Sequence, residues 1–416
     1  MPLIRNEQVS LKRIMILVLF FFLIKLSFFP IALYRIVIFF LMFLELSKNR
    51  YLLLKKIDRN FLISAVGIIG LSFARSCFTG DITIPFYLFE SILNLFSAII
   101  IFNLFYADKP RYLLLKEIVY ALLVQSSVMI LMLISPHAKQ FLNMLFPSNV
   151  PAEKWAWRHV GLTGFSAYNM GMFLAFGVFL TIILFQKNIF SLRKTVLFCL
   201  IFFATAILSA RSSFIVFIFI AIYVFRFIKS RKSIKFLLII FAILVLSFWG
   251  LYQYSLVNEK FKFIFDWMFS IVITVFEKGN SIKDVQGVKV IGENFYWNPE
   301  LKTFLFGDGY YGSPSGSGYY MATDAGYMRR LLYFGFFLSF FFYLIFINYF
   351  ICSACFIKDK HIRFFLVSLI AIIMIAQYKG DFFIDSGESF RMGFLISYAF
   401  RSRSCQNENS ICTFTG

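Results

Sequence analysis

The chain has 416 residues, of which 60% are hydrophobic and 15% charged, with a formal net charge of +20. A mean hydropathy of +0.79 excludes an ordinary soluble domain. The basic residues recur at every second loop between apolar runs, so a membrane-topology pattern explains the charge and nucleic acid is not expected as a partner.

Apolar runs long enough to cross the roughly 30 Å hydrocarbon core repeat from end to end. Residues 1–416 therefore read as one all-α, polytopic integral membrane domain of about twelve transmembrane helices. In chain order the predicted spans are Leu11–Phe29, Ile31–Leu46, Phe61–Arg75, Ile82–Tyr106, Tyr112–Ser135, Phe165–Gln186, Thr195–Ser209, Ser212–Lys229, Phe236–Tyr254, Gly326–Cys352, Phe364–Gln377 and Glu388–Phe400. The first has the basic flank of a signal peptide, but SFFPIALYR offers no small-residue cleavage site, so it is expected to stay as a span. Basic clusters such as Lys55, Lys56 and Arg59, or Arg231, Lys232 and Lys235, fall on one side of this arrangement. The positive-inside rule makes that side the cytoplasm, with both termini inside.

Six cysteines form no disulfide framework, and Cys352-x-x-Cys355 lacks the second pair that a metal site needs. No metal or cofactor is expected. The sixty phenylalanines are scattered over the spans without a fixed spacing and read as lipid-facing and core filler.

Two sizeable segments remain on the other side, residues 136–164 and residues 255–325. In the first, Arg158 and His159 precede Gly161, Gly164, Ala167 and Gly171, small residues spaced for close helix packing. Arg158 escapes the positive-inside explanation, and its planar fork suits a phosphate, with snorkelling to the interface as the competing account. Arg211 lies in a very short turn between apolar runs, where a charge is costly unless paired.

The second segment opens with FKFIFDWM, read as an interfacial or re-entrant helix. It continues through Trp297, Tyr310 and Tyr311, rings able to stack on sugars or to form a headgroup belt. It ends in TDAGYMRRLLYFG, where Thr323 or Asp324 is placed to cap a helix starting near Ala325, with its positive end turned outward. Arg329 and Arg330 are successive, so they diverge by about 100 degrees and only one is expected to face the bundle interior. A last constellation, KGDFFIDSGESFR, carries Lys379, Asp381, Asp385, Glu388 and Arg391.

Through RHVGLTGFSAYNMG, LSARSSF, LFGDGYY, TDAGYMRRLLYFG and the KGDFF segment, in that order and on one side, the chain resembles the bacterial O-antigen and capsule polysaccharide polymerases, the Wzy family. The resemblance implies a GT-C-like, metal-independent glycosyltransferase. Its substrates would be undecaprenyl-diphosphate-linked oligosaccharide repeats at the outer face of the bacterial cytoplasmic membrane, for O-antigen or capsule synthesis. Membrane lipids, a chain-length regulator and a flippase are the further partners it implies. The related O-antigen ligases carry a histidine in their large loop, and residues 255–325 contain none. A ligase, or a flippase or transporter of lipid-linked oligosaccharides, is the alternative.

Transfer from a lipid diphosphate needs cations for the charge developing on the leaving group. Arg158, Arg211, Arg329, Arg330 and Lys379 are the expected diphosphate ligands. Asp324, Asp381 and His159 compete as the base for the acceptor hydroxyl, and Trp297, Tyr310 and Tyr311 are the expected sugar contacts.

Overall fold

The structure is a computed structural model that describes residues 8–22, 24, 26–27, 33–48, 59–146, 161–163, 167–227, 249–250, 252–270, 273–274, 295, 299–314, 316, 318–385 and 387–401. Among these, no strand is present beyond one isolated bridge, Gly312 to Tyr319. Six helices are long and apolar enough to cross a bilayer. They are α3 (Arg59–Thr79), α4 (Thr83–Phe105), α5 (Arg111–Ile134), α7 (Ala167–Gln186), α8 (Leu192–Ser209) and α12 (Gly326–Phe356). This is the architecture of a membrane-embedded helical protein, because helices satisfy every backbone donor and acceptor within the segment.

Shorter helices complete the bundle: α1 (Leu11–Phe21), α2 (Leu33–Lys48), α9 (Ser213–Phe227), α13 (Lys360–Ala376) and α15 (Gly387–Phe400). Short helices α6 (Pro136–Leu145), α10 (Glu259–Met268), α11 (Leu301–Phe306) and α14 (Phe382–Asp385) lie between them. Ser135 caps α6 by accepting from the Ala138 amide, with proline in the first turn, and Asn258 caps α10 in the same way. The predicted span Phe236–Tyr254 lies mostly outside the described residues.

Helix α7 is the centre of the bundle, and small residues let its neighbours come close. Gly171 lies against the Ala206 carbonyl and Ala210, and Gly177 against Phe202 and Leu122. Gly161 is not part of this helix; it occupies a turn at φ +64 against the Gln125 side chain.

The first predicted span, Leu11–Phe29, ends early at Phe21. Arg391, 1% exposed, donates from Nη1 to the Phe20 and Phe21 carbonyls at 3.1 and 2.9 Å, and from Nε to Asn94 at 2.9 Å. A helix ending inside the bundle leaves carbonyls without intrahelical partners, and a buried guanidinium supplies the missing donors. Leu11–Phe29 is one apolar run in the sequence, and nothing in its hydropathy marks the contact with Arg391.

Apart from Arg391 and the Arg35–Glu90 pair, ion pairs gather at the two ends of the bundle. At one end Glu117 takes Arg13 at 2.8 Å and the Tyr106 hydroxyl at 2.7 Å, and Asp359 takes Lys187 at 2.6 Å and the Tyr112 hydroxyl. The opposite end gathers the turn after α3, the segment 307–325 and the turn before α14.

Candidate functional site

The site is built on a break in α12. Gly335 has φ +78 and ψ 177, which interrupts the helix one-third of the way along and frees carbonyls in the preceding turn. The Leu332 carbonyl accepts from the Asp308 amide at 2.6 Å, and the Arg330 carbonyl from the Ser339 hydroxyl at 2.8 Å. Gly307, at φ +68, lies directly on the backbone of Leu332, Tyr333 and Gly335, and a Cβ on either Gly307 or Gly335 would overlap main-chain atoms. Helix α11 seats itself here with Phe304 stacked on Phe336, centroids 5.3 Å apart. Irregular backbone inside a helical bundle survives only with its polar groups paired in this way.

From that anchor the described residues 310–314, 316 and 318–320 form a hairpin-like loop. The Tyr320 amide donates to the Tyr311 carbonyl at 3.0 Å and the Ser313 amide to the Gly318 carbonyl at 3.1 Å. Asp81, in the turn after α3, fixes the loop by accepting from the Tyr311 and Gly312 amides at 2.7 and 2.9 Å. Partial burial opposes the charge on Asp81, but bonds from Thr83 and from these amides outweigh it and hold its carboxyl below the usual carboxylate range. Arg75 reaches the same loop through the Gly307 carbonyl.

Both consecutive arginines are buried, Arg329 at 4% exposure and Arg330 at 0%, where one was expected inside. The loop folds back over α12 and encloses the face that divergence alone would leave outside. Arg329 uses its whole guanidinium: Nε donates to the Thr323 carbonyl, Nη1 to the Tyr311 hydroxyl and Nη2 to Asp324, each at 3.0 Å. Its guanidinium carbon also lies 3.2 Å from the Tyr319 ring centroid.

Arg330 pairs with Asp381 at 3.0 Å, and its Nε and Nη1 have no hydrogen-bond partner among the described residues. Gln377 holds the same carboxylate at 3.0 Å while also donating to the Tyr343 hydroxyl at 3.0 Å. A buried guanidinium with two nitrogens unsatisfied among the described residues is a donor set open to an added acceptor.

The remaining predicted residues are distributed unevenly. Asp324 does not cap α12: the N-cap is Ala325, with no side-chain capping bond, and Asp324 instead pairs with Arg329 from an exposed position. Tyr311 is buried against Arg329, while Tyr310 is half-buried beside Tyr320, centroids 5.4 Å apart. Lys379 is exposed on the turn before Asp381. Arg211 engages Ser270 at 2.5 Å and lies 4.9 Å from the Trp267 ring, which ties the α8–α9 turn to the end of α10. Arg158, His159 and Trp297 lie outside the described residues.

Sequence reasoning passed over Arg75, Asp81, Asp308, Gln377 and Tyr343. Arg75 and Asp81 bracket a short polar turn between apolar runs, the same signal that singled out Arg211. Gln377 and Tyr343 carry no such signal, since a lone polar residue near a helix end is ordinary.

The site thus defines an all-helical, membrane-type protein whose broken helix carries a polar, tyrosine-rich loop over a buried arginine. Comparison with protein-family models, with curated proteins and with solved structures gave no match.

Proposed function

We propose that the protein is a GT-C-like polysaccharide polymerase with about twelve spans, set in the bacterial cytoplasmic membrane with both termini inside. It joins undecaprenyl-diphosphate-linked oligosaccharide repeats at the outer face, for an O-antigen or a capsule. The observation that carries this reading is Arg330, fully buried, paired to Asp381 and holding two guanidinium nitrogens without an acceptor among the described residues, next to the loop-bound Arg329.

In this reading the diphosphate accepts from Arg330 as the glycosidic carbon is attacked, because fixed donors in a poorly hydrated site act most strongly on charge that develops in the transition state. Arg329 is already engaged by Thr323, Tyr311 and Asp324, so it holds the loop in place and adds charge. Lys379, exposed on the turn before Asp381, is assigned to the lipid diphosphate, and Arg158, outside the described residues, keeps the same assignment from the sequence; Arg211 is engaged by Ser270 and Trp267. Tyr310 supplies a ring to the sugar, and Trp297, which lies outside the described residues, keeps the sugar-binding role expected from the sequence.

A gel of surface polysaccharide from a deletion strain tests the proposal. The expected result is a ladder collapsed to single-repeat bands, restored by the wild-type gene and not by Arg330→Lys, since an ammonium cannot reproduce two parallel N–H bonds. Loss of every band points to a flippase or ligase and sinks the polymerase reading.

A further inference from the structure

Four carboxylates touch the loop assembly, and three are committed to other partners. Asp81 accepts from the Thr83, Tyr311 and Gly312 amides. Asp324 pairs with Arg329, and Asp381, 1% exposed, pairs with Arg330. Asp308 differs. Its Oδ1 accepts from the Thr303 hydroxyl at 2.8 Å and its Oδ2 from the Tyr320 hydroxyl at 3.2 Å, and among the described residues it forms no ion pair. Hydroxyls are weak, rotatable donors that a sugar hydroxyl can replace without leaving a charge behind.

Its placement is fixed rather than loose. The Asp308 amide is bonded to the Leu332 carbonyl at the helix break. Gly307 and Gly309, both at positive φ, let the backbone on either side lie flat against Gly335 and against the Arg75 side chain. Arg75 interacts electrostatically with the carboxylate. Half-buried Tyr310 and Tyr320 stand beside it with their rings inclined by 34°, offering faces to a pyranose next to a hydrogen-bond acceptor.

We propose that Asp308 is the catalytic carboxylate that orients and deprotonates the acceptor sugar hydroxyl, with Tyr310 and Tyr320 as its ring platform. The assignment rests on the polymerase reading above. The acceptor O–H proton passes to Asp308 as that oxygen bonds to the anomeric carbon of the donor. The bond from that carbon to the diphosphate oxygen breaks, and its electron pair stays on the lipid diphosphate, whose added charge Arg330 compensates. The proton on Asp308 then returns to water.

The test uses full-length protein in vesicles, supplied with the lipid-linked repeat that accumulates in the deletion strain. Asp308→Asn is expected to lower the initial rate of repeat joining by about 10²–10⁴-fold. Its residual rate should also lose the acid limb of the wild-type pH profile, and Asp308→Ala should recover activity with added formate. Asparagine activity above a tenth of wild type, or an acid limb that survives the substitution, overturns the assignment. If Asp308→Asn fails to fold, Asp308→Glu decides: a carboxylate displaced by one methylene should lower the rate of repeat joining by at least about tenfold. A wild-type rate from Asp308→Glu overturns the assignment. Wild-type protein that joins no repeats overturns the polymerase reading itself, and Asp308 with it.

Discussion

Arg329 and Arg330 are adjacent in sequence and differ in what surrounds them, and the difference predicts how their carboxylate partners respond to removal. Asp381 is buried with Arg330, so Asp381→Ala leaves an uncompensated buried charge and should cost about 3–5 kcal/mol. Asp324 is 63% exposed, so Asp324→Ala should cost no more than about 1 kcal/mol. Thermal unfolding in detergent measures both, and equal losses would contradict the burial difference. Asp81 makes a pH prediction. Its folded pKa is depressed, so its contribution is fully present above the unfolded value of about 3.9 and is lost as pH falls through the lower folded value. The unfolding midpoint of the wild type should drop more steeply below about pH 4 than that of Asp81→Asn.

At the scale of the element, the break in α12 decides where the loop sits. Gly335 and Gly307 are in contact main chain to main chain, whereas Gly316, also at positive φ, has open space around it. Gly335→Ala or Gly307→Ala combines a disfavoured φ with steric overlap and should abolish the docked loop, with little folded protein recovered. Gly316→Ala meets only the backbone preference, about 1–2 kcal/mol, and should be recovered in good yield. Size-exclusion profiles of the three variants in detergent separate the outcomes. The end of α1 follows the same rule, with Arg391 replacing the donors that a continued helix would have provided.

Across the whole molecule, cations at the Arg13 and Lys187 end are paired with Glu117 and Asp359, while the other end collects Arg75, Arg329 and Arg330 around the loop. If the first end faces the cytoplasm, as the basic-residue distribution predicts, then Lys302, exposed on α11, faces outward. A cysteine at Lys302, in a background lacking the native cysteines, should react with a membrane-impermeant maleimide in intact cells. Labelling that requires permeabilisation inverts the topology.

Apolar run length by itself determined the helical, membrane-type class, because a chain that cannot leave unpaired backbone in hydrocarbon has few other choices. Most boundaries followed: the predicted Ile82–Tyr106 is the helix Thr83–Phe105, and Tyr112–Ser135 is Arg111–Ile134. The segment from Leu305 to Gly335 was also legible as unusual, since polar residues and glycines between spans stand out against an apolar background. Hydropathy could not show that the first span stops at Phe21 or that α12 breaks at Gly335, because both depend on donors and acceptors brought from distant residues. Nor could the pairing of Arg330 with Asp381, or of Asp81 with the loop amides, be read from spacing. A side chain's partners across 51 or 230 positions are chosen by packing of the bundle, and only the tertiary structure fixes that choice.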